Sequence, residues 1–236
     1  MIIERVALRG PLPADTWPFT LAPVRQLAAP GLELDTDLTF LVGENGSGKS
    51  TLIEAIAEAY GMDVRGGHGA RKYAPPGAKG PLGEALELRL GREARGRQGF
   101  FLRAETAHGV FEFMSEHGVP GYGEKHLGEV SHGEGYLQVL EGRFVKRGLY
   151  LLDEPEAPLS FESSLVLVRV LHDAVRNGSQ VICATHSPLL TAIPGARIVE
   201  LTDAGMAERA WEDLEIVTHW RRYLSDPRAY LRHVLD

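Results

Sequence analysis

The chain has 236 residues, which suits one large α/β domain around a single core and is short for two independent ones. Its 25 Lys and Arg against 32 Asp and Glu give a formal charge of -7, which argues against a surface built mainly to neutralise phosphate backbones but leaves room for a local basic groove. A single cysteine, Cys183, cannot close an intrachain disulfide and fits a reducing cytoplasm, and no apolar run approaches the roughly 20 residues of a membrane-spanning helix.

In chain order, Glu4, Arg5 and Arg9 interrupt the apolar residues of MIIERVALRG, so no secretory signal is expected there. Ile2 to Leu8 reads as a strand and Pro11 to Pro30 as an irregular stretch. Leu38 to Val42 reads as a strand running into a glycine loop. A helix follows over Thr51 to Tyr60, with Leu52, Ile53, Ile56 and Ala59 on one face. Gly61 to Gly83 reads as an exposed loop, and Leu86 to Leu90 and Phe100 to Arg103 as strands. Val110 to Ser115 resembles part of a helix, and a short helix is expected over Gly135 to Leu140. The apolar runs Leu149 to Leu152 and Val181 to Ala184 flank a helix over Phe161 to Asn177, the pattern of a buried parallel β-α-β unit. Ser225-Asp226-Pro227 opens a last helix with Tyr230, Leu231 and Val234 as its packing face.

Gly43-Glu44-Asn45-Gly46-Ser47-Gly48-Lys49-Ser50 fits the phosphate-loop pattern G-x-x-x-x-G-K-[ST], with the strand before it and the helix after it that the pattern requires. Glycines let the backbone fold tightly enough for successive N–H groups to face phosphate oxygens, and the helix N-terminus adds favourable partial charge. Lys49 is expected to reach the β- and γ-phosphates, and the Ser50 hydroxyl to ligate Mg²⁺. Nucleotide contacts are expected to run on to Thr51. Farther along, Leu149 to Leu152 ends in Asp153 and Glu154, as in a central strand that delivers carboxylates at its C-terminal edge. Asp153 is the candidate for holding Mg²⁺, partly through water, and Glu154 for the general base.

Basic residues Arg65, Arg71, Lys72 and Lys79 cluster in the Gly/Pro-rich segment, and Arg92, Arg95 and Arg97 form a second group. A solvated loop is the reading taken, with a nucleic-acid surface as the alternative. His108, His117 and His126 lack metal-ligand spacing and read as polar surface residues.

Gly43 to Ser50, Ser131-His132-Gly133-Glu134, Asp153-Glu154-Pro155-Glu156 and Thr185-His186-Ser187-Pro188 follow one another in the order found in ABC-type ATPases. The chain resembles that superfamily across most of its length. With FFLRAE, SHGE, LYLLDEPEAPLS, ATHSP and a terminal YLRH, it looks most like the small stand-alone bacterial ATPases of the AAA/ABC type. The SMC-type recombination and repair heads are more distant, and the long coiled coil that interrupts them has no counterpart here.

The resemblance implies one domain over residues 1–236: an α/β P-loop NTPase fold with a mostly parallel core sheet, an antiparallel N-terminal β part and a small helical signature subdomain at about 106–138. It implies that Ser131 and Gly133 close over the nucleotide held by a second copy. His186 would be the switch histidine that holds Glu154 and its water, and Glu156 to Ser160 would communicate between the two sites. The usual signature is L-S-G-G-Q, so His132 and Glu134 depart from it and put transport-type coupling in doubt. For the glutamine that ordinarily helps to hold the metal, Glu105 is favoured over Gln98. Trp17 and Phe19 are candidates for stacking on adenine, though the core is the favoured place for each. The function implied is Mg-dependent ATP hydrolysis in the cytoplasm, driving ATP-dependent homodimerisation as a stand-alone switch on a protein or nucleic-acid partner. The alternatives are the energy-coupling subunit of an ABC transporter and a module that binds ATP without turnover.

Overall fold

The structure of the protein, a computed structural model, describes residues 1–10, 15–62, 67–68, 79–94, 99–107 and 132–235. Its strands are β1 (Ile3–Leu8), β2 (Leu32–Glu33), β3 (Leu38–Val42), β4 (Gly67–His68), β5 (Leu86–Leu90), β6 (Gly99–Arg103), β7 (Leu149–Asp153), β8 (Gln180–Ala184), β9 (Arg197–Thr202) and β10 (Gly205–Glu208). β3, β7 and β8 are buried at every position, because both faces of a central parallel sheet are covered. The main sheet runs β10-β9-β3-β8-β7-β6-β4. Neighbours from β9 to β6 are parallel, and β10 and β4 add antiparallel edges.

Successive strand side chains point to opposite faces, and so divide the core in two. Leu41, Leu149, Leu151, Ile182 and Ala184 pack with Leu52, Ile53 and Ile56 of the phosphate-loop helix Lys49–Tyr60. Phe40, Tyr150, Leu152, Val181 and Cys183 pack on the other side, with Tyr136, Val139 and Leu140 of helix His132–Arg143 and Leu167 and Leu171 of helix Phe161–Arg176. Burial of each large apolar side chain contributes about 1.5–3 kcal/mol. Ser160 caps the 161–176 helix by accepting from the Ser163 N–H, as expected of it.

The expected antiparallel N-terminal part is a second sheet of order β2-β1-β5. The buried Gln180 side chain ties it to β8. Its Oε1 accepts from the N–H groups of Ile2 at 2.9 Å and Ile3 at 2.7 Å, and its Nε2 donates to Ile3 O at 2.8 Å.

Several local expectations need correction. The stretch read as irregular up to Pro30 contains the helix Ala22–Gln26. The segment read as a loop from Gly61 to Gly83 includes β4 and the start of helix Pro81–Ala85. The helix expected over Gly135 to Leu140 starts at His132 and runs to Arg143, its backbone ladder continuing past Leu140, whose carbonyl accepts from the Phe144 N–H at 2.9 Å. Trp17 is 67% exposed, so it is no core residue, whereas Phe19 is buried. Val234 is 70% exposed and so is no packing residue, while Tyr230 bonds His219 of the preceding helix Glu215–Ser225. That helix and the β9-β10 hairpin were not anticipated from the sequence. Residues 108–131 lie outside the described residues, and with them Val110 to Ser115, Ser131 and the three histidines. Arg65, Arg71, Lys72, Arg95, Arg97 and Gln98 also lie outside. Among the described residues no helix is long and apolar enough to cross a membrane.

Candidate functional site

Parallel strands deliver their C-terminal ends to one edge of the sheet, where three segments meet: the loop after β3, the turn after β7 and the loop after β8. The first segment needs glycine for two separate reasons. A Cβ on Gly43 would stand 2.3 Å from Leu201 O and 2.8 Å from Ser47 Oγ, so only glycine lets the loop pass β9. Gly48, at φ 96°, turns the chain through the left-handed region directly into the helix that starts at Lys49.

Lys49 is buried, and its Nζ donates to Gly43 O and Glu44 O at 2.9 Å each, drawing the loop around its own ammonium. Burial lowers its pKa, opposed by the charges of Glu154, Asp153 and Glu156. Ser47 Oγ is buried without a hydrogen-bond partner, an unpaired donor inside the loop. Glu44, Asn45 and Gly46 form its exposed rim, and Thr51 is half-buried in the first helical turn.

In the second segment, Asp153 is the last residue of β7 and accepts from Ser50 Oγ at 3.0 Å through Oδ1. Burial pushes its carboxyl up to about 6, against the Ser50 hydrogen bond and the nearby Arg103 charge. Glu154 then leaves the strand line. Among the described residues it is the one non-glycine with positive φ, at 49°, and its N–H donates to Ala184 O at 2.9 Å. A non-glycine residue held in this region costs of order 1–3 kcal/mol and is common where side chains must be aimed. The bend sends Glu154 away from Ser50 and towards the third segment, where His186 Nε2 lies 3.5 Å from Glu154 Oε1. Burial, and then the Lys49 charge, lower the His186 pKa, which favours the neutral imidazole at pH 7.

Two further features escaped the reading of the sequence. Glu156 Oε1 accepts from Thr185 Oγ1 at 2.5 Å and from the His186 N–H at 2.9 Å. Burial raises its pKa, opposed by those hydrogen bonds. Arg103, the last residue of β6, stands beside Asp153 with Nε 3.6 Å from Oδ2. A signal for it was present, since the strands GFFLR and LYLLD both end on a charged residue. Parallel pairing in register sets those ends side by side.

Glu105 lies just past β6, 76% exposed on its side chain and paired with Arg103 at 2.9 Å, so its contact is with the guanidinium. Gly133 is the second residue of helix His132–Arg143. The donor chemistry fits Mg²⁺: Ser50 Oγ and Asp153 Oδ1 are hard oxygens 3.0 Å apart, the protein share such an ion takes when phosphate and water complete its shell.

Comparison with known proteins finds ATP-binding relatives. The family described as AAA domain matches residues 24–75, which carry β2, β3, the phosphate loop and its helix. The chain is 28% identical over 209 residues to the ribose import ATP-binding protein RbsA 2 of Burkholderia pseudomallei, an alignment that covers 78% of this chain and 39% of that protein. The chain therefore spans well under half the length of that relative. It is 30% identical over 184 residues to the cytochrome c biogenesis ATP-binding export protein CcmA of Mesorhizobium japonicum, covering 71% of this chain and 87% of that one. A solved metal-chelate type ABC transporter in an inward-facing conformation aligns with a TM-score of 0.45 and 14% identity, over 78% of this chain and 76% of that chain.

Proposed function

The chain belongs to the ABC-type ATPases, and on that premise we propose that it binds ATP with Mg²⁺ at residues 43–51 and hydrolyses it in a site completed by a second copy. The observation that carries this reading is the pairing of Ser50 with Asp153 at 3.0 Å beside the approach of Glu154 to His186 at 3.5 Å. Lys49 and the loop N–H groups bind and orient the β- and γ-phosphates. Ser50 and Asp153 hold the ion, which when bound neutralises phosphate charge. Glu154 takes a proton from the water whose oxygen attacks the γ-phosphorus, as the bond to the ADP oxygen breaks. Neutral His186 orients Glu154 and that water. Ser131 and Gly133 act on the nucleotide of the other copy, residues 106–138 form the helical subdomain, and Glu105 joins the ion's surroundings once Arg103 releases it.

The relatives favour work as the ATP-binding subunit of an ABC transporter over the stand-alone switch, since their names describe import and export proteins. What favours the switch is the Ser131-His132-Gly133-Glu134 departure from the transporter signature. On either reading the chain works in the cytoplasm. Capture of a membrane permease by Glu154→Gln in Mg-ATP supports transport, and capture of a protein or nucleic acid without a permease supports the switch.

Phosphate release tests the chemistry. Wild-type protein is expected to release phosphate from ATP only with Mg²⁺, and Glu154→Gln to lose roughly 10²–10⁴-fold in rate while still binding ATP. Release by Glu154→Gln at the wild-type rate would remove Glu154 from the role of base.

A further inference from the structure

Resting on that reading of the site, we propose that Arg103 and Glu54 are positioning residues for the ion-holding pair Ser50 and Asp153. Ser50 and Glu54 are four residues apart on the phosphate-loop helix, so their side chains stand on one face, a turn apart. Arg103 and Asp153 are opposite each other in the parallel register of β6 and β7. The helix and the sheet edge are thereby joined twice: once by Ser50 Oγ to Asp153 Oδ1 at 3.0 Å, and once by the ion pair of Arg103 Nη1 with Glu54 Oε1. Arg103 Nε, 3.6 Å from Asp153 Oδ2, closes the figure.

The backbone register sets this arrangement, because the two strands bring these Cα atoms together whatever the rotamers. A carboxylate held by one hydroxyl still turns about its Cβ–Cγ bond. A guanidinium 3.6 Å from the second oxygen attracts it without a hydrogen bond, and so biases the carboxylate towards the rotamer that keeps Oδ1 on Ser50. Glu54 matters because it holds the guanidinium in turn. The side chains of Arg103 and Glu54 are each 29% exposed and less screened by solvent than the outer partner Glu105, which is 76% exposed and contributes little. Arg103 acts through Asp153.

The test is the affinity for ATP with Mg²⁺ and with EDTA, measured by calorimetry in a Glu154→Gln parent so that turnover does not interfere. For Arg103→Ala and Glu54→Gln, metal-free ATP affinity should stay within about twofold of the parent, while the gain that Mg²⁺ brings should fall by roughly 10- to 100-fold. The double variant should lose no more than the worse single one, since both act on one rung. Arg103→Lys should recover part of the gain, as an ammonium supplies charge without the planar fork. Glu54→Gln is nearly isosteric and carries the test if Arg103→Ala does not fold, which a thermal melt reports. Equal loss with and without metal, an unchanged Mg²⁺ gain, or additive losses would each overturn the proposal. A parent that binds no ATP under either condition defeats the nucleotide reading instead.

Discussion

Glu156 tethers the loop after β8, with one oxygen receiving both the Thr185 hydroxyl and the His186 N–H. Replacement by leucine leaves two buried donors unpaired and should destabilise the fold by about 1–3 kcal/mol per donor, read as a lower denaturation midpoint. Glu156→Gln keeps an acceptor and should lose less. A pH dependence belongs to the neighbouring carboxyl. Asp153 is pushed up to about 6 from an ordinary 3.8, so between those values the folded protein keeps a proton that the unfolded chain has released. Its contribution to stability is therefore present below about pH 4 and is lost as pH rises through about 6. Holding Mg²⁺ requires the ionised carboxylate, so the gain in ATP affinity from Mg²⁺ should rise through about pH 6 and level off above it. Affinities measured from about pH 5 to pH 8 check this, and Asp153→Asn should abolish the gain and its pH profile together.

At the scale of elements, Gln180 is the joint between the two sheets. Gln180→Leu removes the partners of two N–H groups and one carbonyl on Ile2 and Ile3, and should cost roughly 1–3 kcal/mol for each group left unpaired. Gln180 starts β8, whereas the loop that carries His186 leaves its other end, so ATP affinity should change little where the variant is folded. Chemical denaturation and nucleotide titration of the same samples separate the two effects. The contrast between local and non-local information explains what the sequence made legible. The phosphate loop, the Ser160 cap and the strands that end at Val42 and Asp153 announce themselves in contiguous residues, because backbone conformation or continuous burial dictates each one. The Gln180 joint, the Glu156 tether and the Arg103–Asp153 pairing span many residues of chain and depend on strand order and register, which no single segment records. The β9-β10 hairpin and the 215–225 helix mix polar and apolar residues because they lie at the margin of the core. The 215–225 helix does carry clear helical periodicity, so it was legible in its own residues, whereas the short hairpin strands were not.

At the scale of the molecule, one chain gathers the phosphate loop, Asp153, Glu154 and His186 at one sheet edge, while the proposed contribution of Ser131 and Gly133 comes from another copy. Nothing in a single sequence marks which contacts are made across copies; that expectation came from the resemblance alone. In the proposed cycle ATP closes two copies around shared sites and hydrolysis reopens them. Light scattering of Glu154→Gln with and without Mg-ATP decides whether closure occurs. The expected result is a monomer that becomes a dimer only when Mg-ATP is present. A mass that does not respond to Mg-ATP, in protein shown by calorimetry to bind it, would mean that ATP does not close two copies.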